Sequence, residues 1–85
     1  MFYYVYILRS TVNQSFYIGY TTDLRKRLQE HNTGLSAATK PYKPYSLIFY
    51  EAFPNKTDAK HREEYLKSGF GRRSINKMLK YYLTI

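Results

Sequence analysis

The chain has 85 residues, enough for one small domain running 1–85 with a single core, since a chain of this size buries only about 60–65% of its unfolded surface. It has no cysteine, which excludes disulfide staples and a thiolate zinc site. Fourteen Lys and Arg against six Asp and Glu give a net charge of +8, which is either a soluble basic surface or, more sharply, the mark of a polyanionic partner.

Eleven tyrosines and five phenylalanines exceed what one small core uses. Surplus tyrosines stack on bases or bond to phosphates. Met1-Phe2-Tyr3-Tyr4 lacks a basic leader before a long apolar run, so no signal peptide is expected. No apolar stretch approaches the roughly 20 residues that span a bilayer. The basic residues are spread over several elements, which argues against a membrane-surface role. A cytoplasmic location is the default expectation.

Phe2 to Leu8 alternate as a strand but are apolar on both faces. Phe2, Tyr4, Tyr6 and Leu8 point one way, and Tyr3, Val5 and Ile7 the other. Such a strand is central, or carries an aromatic working face. Arg9 to Ser15 reads as a hairpin loop, and Phe16 to Tyr20 as an antiparallel partner strand. Thr21, Thr22 or Asp23 caps a first helix that runs to about Asn32, with Gly34 as a left-handed stop. Leu35 to Tyr45 has two prolines and no period, and reads as a loop with at most a short helix near Ser36 to Thr39. Ser46 to Phe53 is a third strand, with Leu47, Phe49 and Phe53 alternating against Ile48, Tyr50 and Ala52. A helix from Lys56 or Thr57 reaches about Ser68. Gly69-Phe70-Gly71 breaks it, and a last helix carries Ile75, Met78, Leu79 and Tyr82 as a core stripe. Tyr81 to Ile85 is expected to pack onto the chain's own sheet. The order β-β-α-β-α-α predicts an α+β fold, a three-stranded antiparallel sheet flanked by helices.

Two helices carry charges on faces that should be apolar. At about 100° per residue from Leu24, Leu28 falls at about 40°, Arg27 at about 300° and His31 at about 340°. Arg27 and His31 therefore share the stripe that Leu24 and Leu28 bury, whereas Arg25, Lys26, Gln29 and Glu30 face water. An inward basic residue costs free energy unless it is paired or lines a cleft. Counted from Ala59 in the same way, Glu63 falls at about 40° and Leu66 at about 340°, while Glu64 falls at about 140°. Glu63 thus turns inward, either to pair with Arg27 or Arg62 or to hold a hard cation. Tyr6 and Tyr17 come from strands expected to pair. Gly19 shares the Tyr17 face and marks a bulge, or a place where a backbone or phosphate approaches closely.

The ordered set Tyr4-Val5-Tyr6, Tyr17-Ile18-Gly19, Arg27, His31 and Glu63 resembles the GIY-YIG nuclease superfamily, most nearly its small single-domain bacterial members. The resemblance covers nearly the whole chain. It includes the Thr21-Thr22-Asp23-Leu24 helix start, His31-Asn32-Thr33-Gly34, and Ala59 through Gly69. It implies a three-stranded antiparallel sheet with flanking helices and divalent-metal-dependent hydrolysis of DNA phosphodiester bonds, as in DNA repair or recombination. Matched residue by residue, Tyr6 and Tyr17 are the motif tyrosines, Arg27 the phosphate-binding arginine, and His31 a histidine found one turn later in some members. Glu63 matches the glutamate that binds Mg²⁺ or Mn²⁺, and Asn76 an asparagine that some members carry after it. Tyr4 stands in place of a glycine, and Tyr20 where some members carry a basic residue, leaving one fewer cation. The separate DNA-binding domains of larger members have no counterpart here, so DNA preference is low or comes from a partner protein. The alternatives are a non-catalytic nucleic-acid-binding module of the same fold, or an adaptor to a repair or nuclease subunit.

Overall fold

A computed structural model describes residues 1–84. The elements are β1 (Tyr3–Ser10), β2 (Phe16–Thr21), α1 (Leu24–Thr33), a 3₁₀ turn (Lys40–Tyr42), β3 (Tyr45–Phe53), α2 (Lys56–Lys67), α3 (Gly69–Met78) and α4 (Lys80–Leu83). The strands form one antiparallel sheet in the order β2-β1-β3. The fold class is the α+β arrangement expected from the sequence. No described helix is long and apolar enough to cross a membrane.

β1 is central, which explains why both of its faces are apolar. Val5 and Ile7 pack with Ala59, Leu66 and Ile75 of α2 and α3. Tyr6 and Leu8 pack on the other side with Tyr45, Tyr17 and Leu47 and with Leu24 and Leu28 of α1. The expected single core is therefore two clusters, separated by the sheet. β3 departs from simple alternation because Ile7 pairs with Phe49 but Leu8 pairs with Leu47, leaving Ile48 as an extra residue. Across this bulge the faces switch. Leu47 joins the Tyr6 cluster, while Ile48 and Phe49 both join the Val5 cluster. Leu47 and Phe49 do not share a face as the alternation predicted.

Asp23 is the residue that caps α1, its side chain accepting from the Lys26 N–H at 3.1 Å. Gly34 ends the helix with φ +85°. Just before it, Asn32 clamps α1 to β3, accepting from the Tyr45 N–H at 2.7 Å and donating to the Tyr45 carbonyl at 3.0 Å. Gly69 and Gly71 do not separate two helices by a break; they form the first turn of α3, whose cap is Ser68. A side chain at Gly71 would collide with the backbone of Tyr65 and Leu66, so glycine lets α3 start directly against the end of α2. The predicted stripe on the last helix is half right. Ile75 is buried and Leu79 partly so, but Met78 and Tyr82 are exposed. Tyr81 is 81% exposed instead of packing onto the sheet. Ile85 lies outside the described residues.

Candidate active site

Tyr6 projects from the middle of the central strand, opposite Gly19 of β2. A methyl group on Gly19 would overlap the Tyr6 ring carbon Cζ and its hydroxyl oxygen. The close approach at Gly19 is thus made by the Tyr6 phenol. With Gly19 out of the way, the Tyr6 hydroxyl reaches His31 Nε2 at 2.8 Å. His31 is fully buried, and its Nδ1 lies 2.8 Å from Thr39 Oγ1. Thr39 Oγ1 in turn lies 3.4 Å from the Ser36 carbonyl oxygen.

The Thr39 bond to a carbonyl favours one direction along this chain. The Ser36 carbonyl only accepts, so the Thr39 hydroxyl donates to it. His31 Nδ1–H then donates to Thr39, and the lone pair of Nε2 accepts the Tyr6 hydroxyl proton. A lone pair of the Tyr6 oxygen is left for a group arriving from outside. The Tyr17 ring leans on the imidazole, with centroids 4.8 Å apart, and its centroid is 6.4 Å from that of Tyr6.

Arg27 borders the same hydroxyl. Its guanidinium donates to Glu30 at 3.1 Å, and its positive charge acts on the Tyr6 phenol. Burial pushes the Tyr6 phenol from 10 up to about 12, with Arg27 pulling it back and the charges of Tyr17 and Glu63 adding to the rise. Burial and the Arg27 charge push His31 from 6.5 down to about 4, with Glu30 opposing. Partial burial would lower the Arg27 pKa, but Glu30 and Tyr6 together hold it above its ordinary value. At neutral pH the free protein therefore holds a neutral phenol and a neutral imidazole beside a firmly charged guanidinium. His31 has both ring nitrogens occupied and does not face an incoming phosphate directly.

Glu63 turns inward on α2 as its angle predicted, with its side chain 14% exposed. It pairs with neither Arg27 nor Arg62. Its partners are Lys67 at 2.9 Å and Lys60 at 3.9 Å, while Arg62 is held by Glu51 at 2.7 Å. Pairs with half-exposed lysines contribute under about 1 kcal/mol, so a divalent cation can displace them. Among the described residues no three His, Cys, Asp or Glu form a cluster. The donor set fits a cation held by one carboxylate, waters and substrate oxygens, and does not fit an all-protein cage. Lys60 also places its ammonium 4.2 Å above the Tyr20 ring, so α2 supplies a cation where the residue after the second motif is tyrosine.

Asn76 is not brought to this place. It is exposed on α3 and lines a groove bordered by none of Tyr6, Tyr17, Arg27, His31 and Glu63. Thr39 is the residue that sequence reasoning missed. It sits in the aperiodic Leu35–Tyr45 stretch, and only its three-residue spacing from Ser36, a side-chain turn signature, hints at its local bonds.

The GIY-YIG catalytic domain model matches residues 2–77. A UPF0213 protein of Streptococcus pyogenes serotype M3 is 40% identical over 82 residues, covering 95% of this chain and 85% of that protein. A UPF0213 protein of Clostridium perfringens is 43% identical over 65 residues, covering 75% and 69%. The solution NMR structure of a UPF0213 protein from Bacillus halodurans superposes with TM-score 0.57 at 33% identity, covering 92% of this chain and 85% of that one. The family model, the sequence identities and the structural superposition agree, and the chain belongs to the GIY-YIG family, alongside its small UPF0213 members.

Proposed function

We propose that the protein is a divalent-metal-dependent endonuclease that hydrolyses DNA phosphodiester bonds. The observation that carries this is the chain Tyr6–His31–Thr39–Ser36, whose Tyr6 phenol lies within the field of the Arg27 guanidinium. Arg27 clamps a nonbridging phosphate oxygen with its planar donor fork. The free lone pair of Tyr6 takes a proton from the attacking water while the phenol proton passes to His31 Nε2. The resulting imidazolium keeps Nδ1–H on Thr39. The water oxygen bonds to phosphorus as the P–O ester bond breaks, and the departing oxygen takes its proton from solvent while the imidazolium returns its proton through Tyr6.

Concerted transfer matters because neither group ionises alone. A phenol near 12 and an imidazole near 4 are each a poor base or acceptor at neutral pH. Passing the proton through Tyr6 avoids a free phenolate, and the phosphate's negative charge favours the imidazolium. Tyr17 buttresses the imidazole from the side. Glu63 would hold Mg²⁺ or Mn²⁺, whose charge would stabilise the phosphate and the leaving oxygen.

The test is cleavage of single-stranded, linear duplex, flapped and branched DNA in Mg²⁺, Mn²⁺ or EDTA. Tyr6→Phe, Arg27→Ala and Glu63→Ala should each lower the rate by about 10²–10³-fold. Cutting that survives Glu63→Ala removes the metal assignment. Binding without cutting on every substrate replaces the nuclease by a non-catalytic module of the same fold.

A further inference from the structure

The chain's charges are unevenly distributed. From Tyr65 to Ile85 there are five Lys or Arg and no Asp or Glu. The same stretch holds prominently exposed rings, including Phe70 at 68% and Tyr65 at 41%. These features converge on one groove of about 490 Å³ where α2, α3 and α4 meet, lined by Tyr65, Phe70, Arg73, Lys77 and Lys80 and by no acidic residue. Arg73 lies 5.2 Å from the Phe70 ring centre, so the guanidinium and the ring form one platform. Tyr65 is fixed by a 2.6 Å bond between its hydroxyl and that of Ser74. Around α2, Tyr65 lies about 160° from Glu63, so the groove occupies the opposite flank of that helix from the acid.

We propose that this groove binds an unpaired segment of polynucleotide, with a base stacked on Phe70 and phosphates on Arg73, Lys77 and Lys80. Three cations without an acid suit a polyanion. The exposed ring selects an unpaired strand, because a duplex hides the base faces that stack. An acidic peptide would satisfy the cations but leave Phe70 unused. The proposal rests on the nuclease reading in taking the bound strand to be an extension of the substrate. It makes DNA with a single-stranded region the preferred substrate class.

The test is fluorescence anisotropy in EDTA with a labelled oligodeoxythymidylate and a labelled duplex of equal length. Phe70→Ala should weaken single-strand binding by about fivefold or more, the loss of one stacked base, and leave the duplex unchanged. Arg73→Ser with Lys77→Ser should lower the salt slope on the single strand by about 1.4. All three positions are exposed, so melting temperatures near the parent value show the fold is kept. Arg27→Ala should retain the Phe70-dependent binding. Single-strand binding that ignores Phe70, or equal loss of a polyglutamate probe in the charge variant with no effect of Phe70→Ala, overturns the proposal. Cleavage is scored separately. Phe70-dependent binding without cleavage in Mg²⁺ sinks only the nuclease, and cleavage with Phe70-independent binding sinks only the groove.

Discussion

The two faces of the sheet are built from alternate residues of one strand, yet they are different materials. Val5 and Ile7 face an aliphatic cluster with Ala59, Leu66 and Ile75. Tyr6 and Leu8, their neighbours in sequence, face α1 across a region holding fully buried His31 and Thr39. The first face contributes stability through apolar area and close packing. The second holds polar groups that survive burial only because each has a partner. A stiff aliphatic face lets the polar one be held in a fixed geometry, since β1 is common to both.

Four perturbations should separate the faces, in falling order of effect. Leu66→Ala opens a cavity on the aliphatic face and should cost about 2–5 kcal/mol in chemical denaturation, with cleavage below the melting transition nearly unchanged. Loss of cleavage in proportion to stability would break the division. Acid should act through the polar face. His31 titrates near 4 when folded and near 6.5 when unfolded, so the unfolded chain binds more protons between those values. Its contribution is present above pH 6.5 and is lost as pH falls towards 4, by up to about 3 kcal/mol. Stability measured across pH 4 to 7 should show this slope, and His31→Gln should flatten it.

Gly19→Ala forces the Tyr6 phenol to move and should lower cleavage by about 10²-fold, or about 2.7 kcal/mol, with a smaller loss of stability. Unchanged cleavage would mean that the phenol's position is unimportant. Thr39→Val leaves His31 Nδ1–H buried without a partner and should cost about 1–3 kcal/mol of stability. Thr39→Ser should restore it, and a valine variant as stable as the parent would remove Thr39 from the polar chain.

The sequence exposed most of this site because its signals are local and periodic. Arg27 and His31 appear on an apolar helical stripe by angle alone, and Glu63 separates from Glu64 in the same way. Three features escaped that reasoning. The bulge at Ile48 depends on the pairing register of β3 with β1, which no single strand encodes. Thr39 lies eight residues beyond His31 in an aperiodic loop, and only folding brings its hydroxyl to the imidazole. Asn76 has a position in the chain that suits the family pattern, but its helix presents it to a different groove.

By itself the sequence determined the sheet and its flanking helices, a cap for the first helix within Thr21–Asp23, the stop at Gly34, and the inward turn of Arg27, His31 and Glu63. Each follows from side-chain period or backbone preference within a few residues. The tertiary structure decided what those residues meet. It gave the space above Gly19 to the Tyr6 phenol and both nitrogens of His31 to neutral partners. It paired Glu63 with lysines instead of arginines, and left Phe70 and its cations facing water. These outcomes depend on distances between residues far apart in the chain, which pattern cannot specify and packing does.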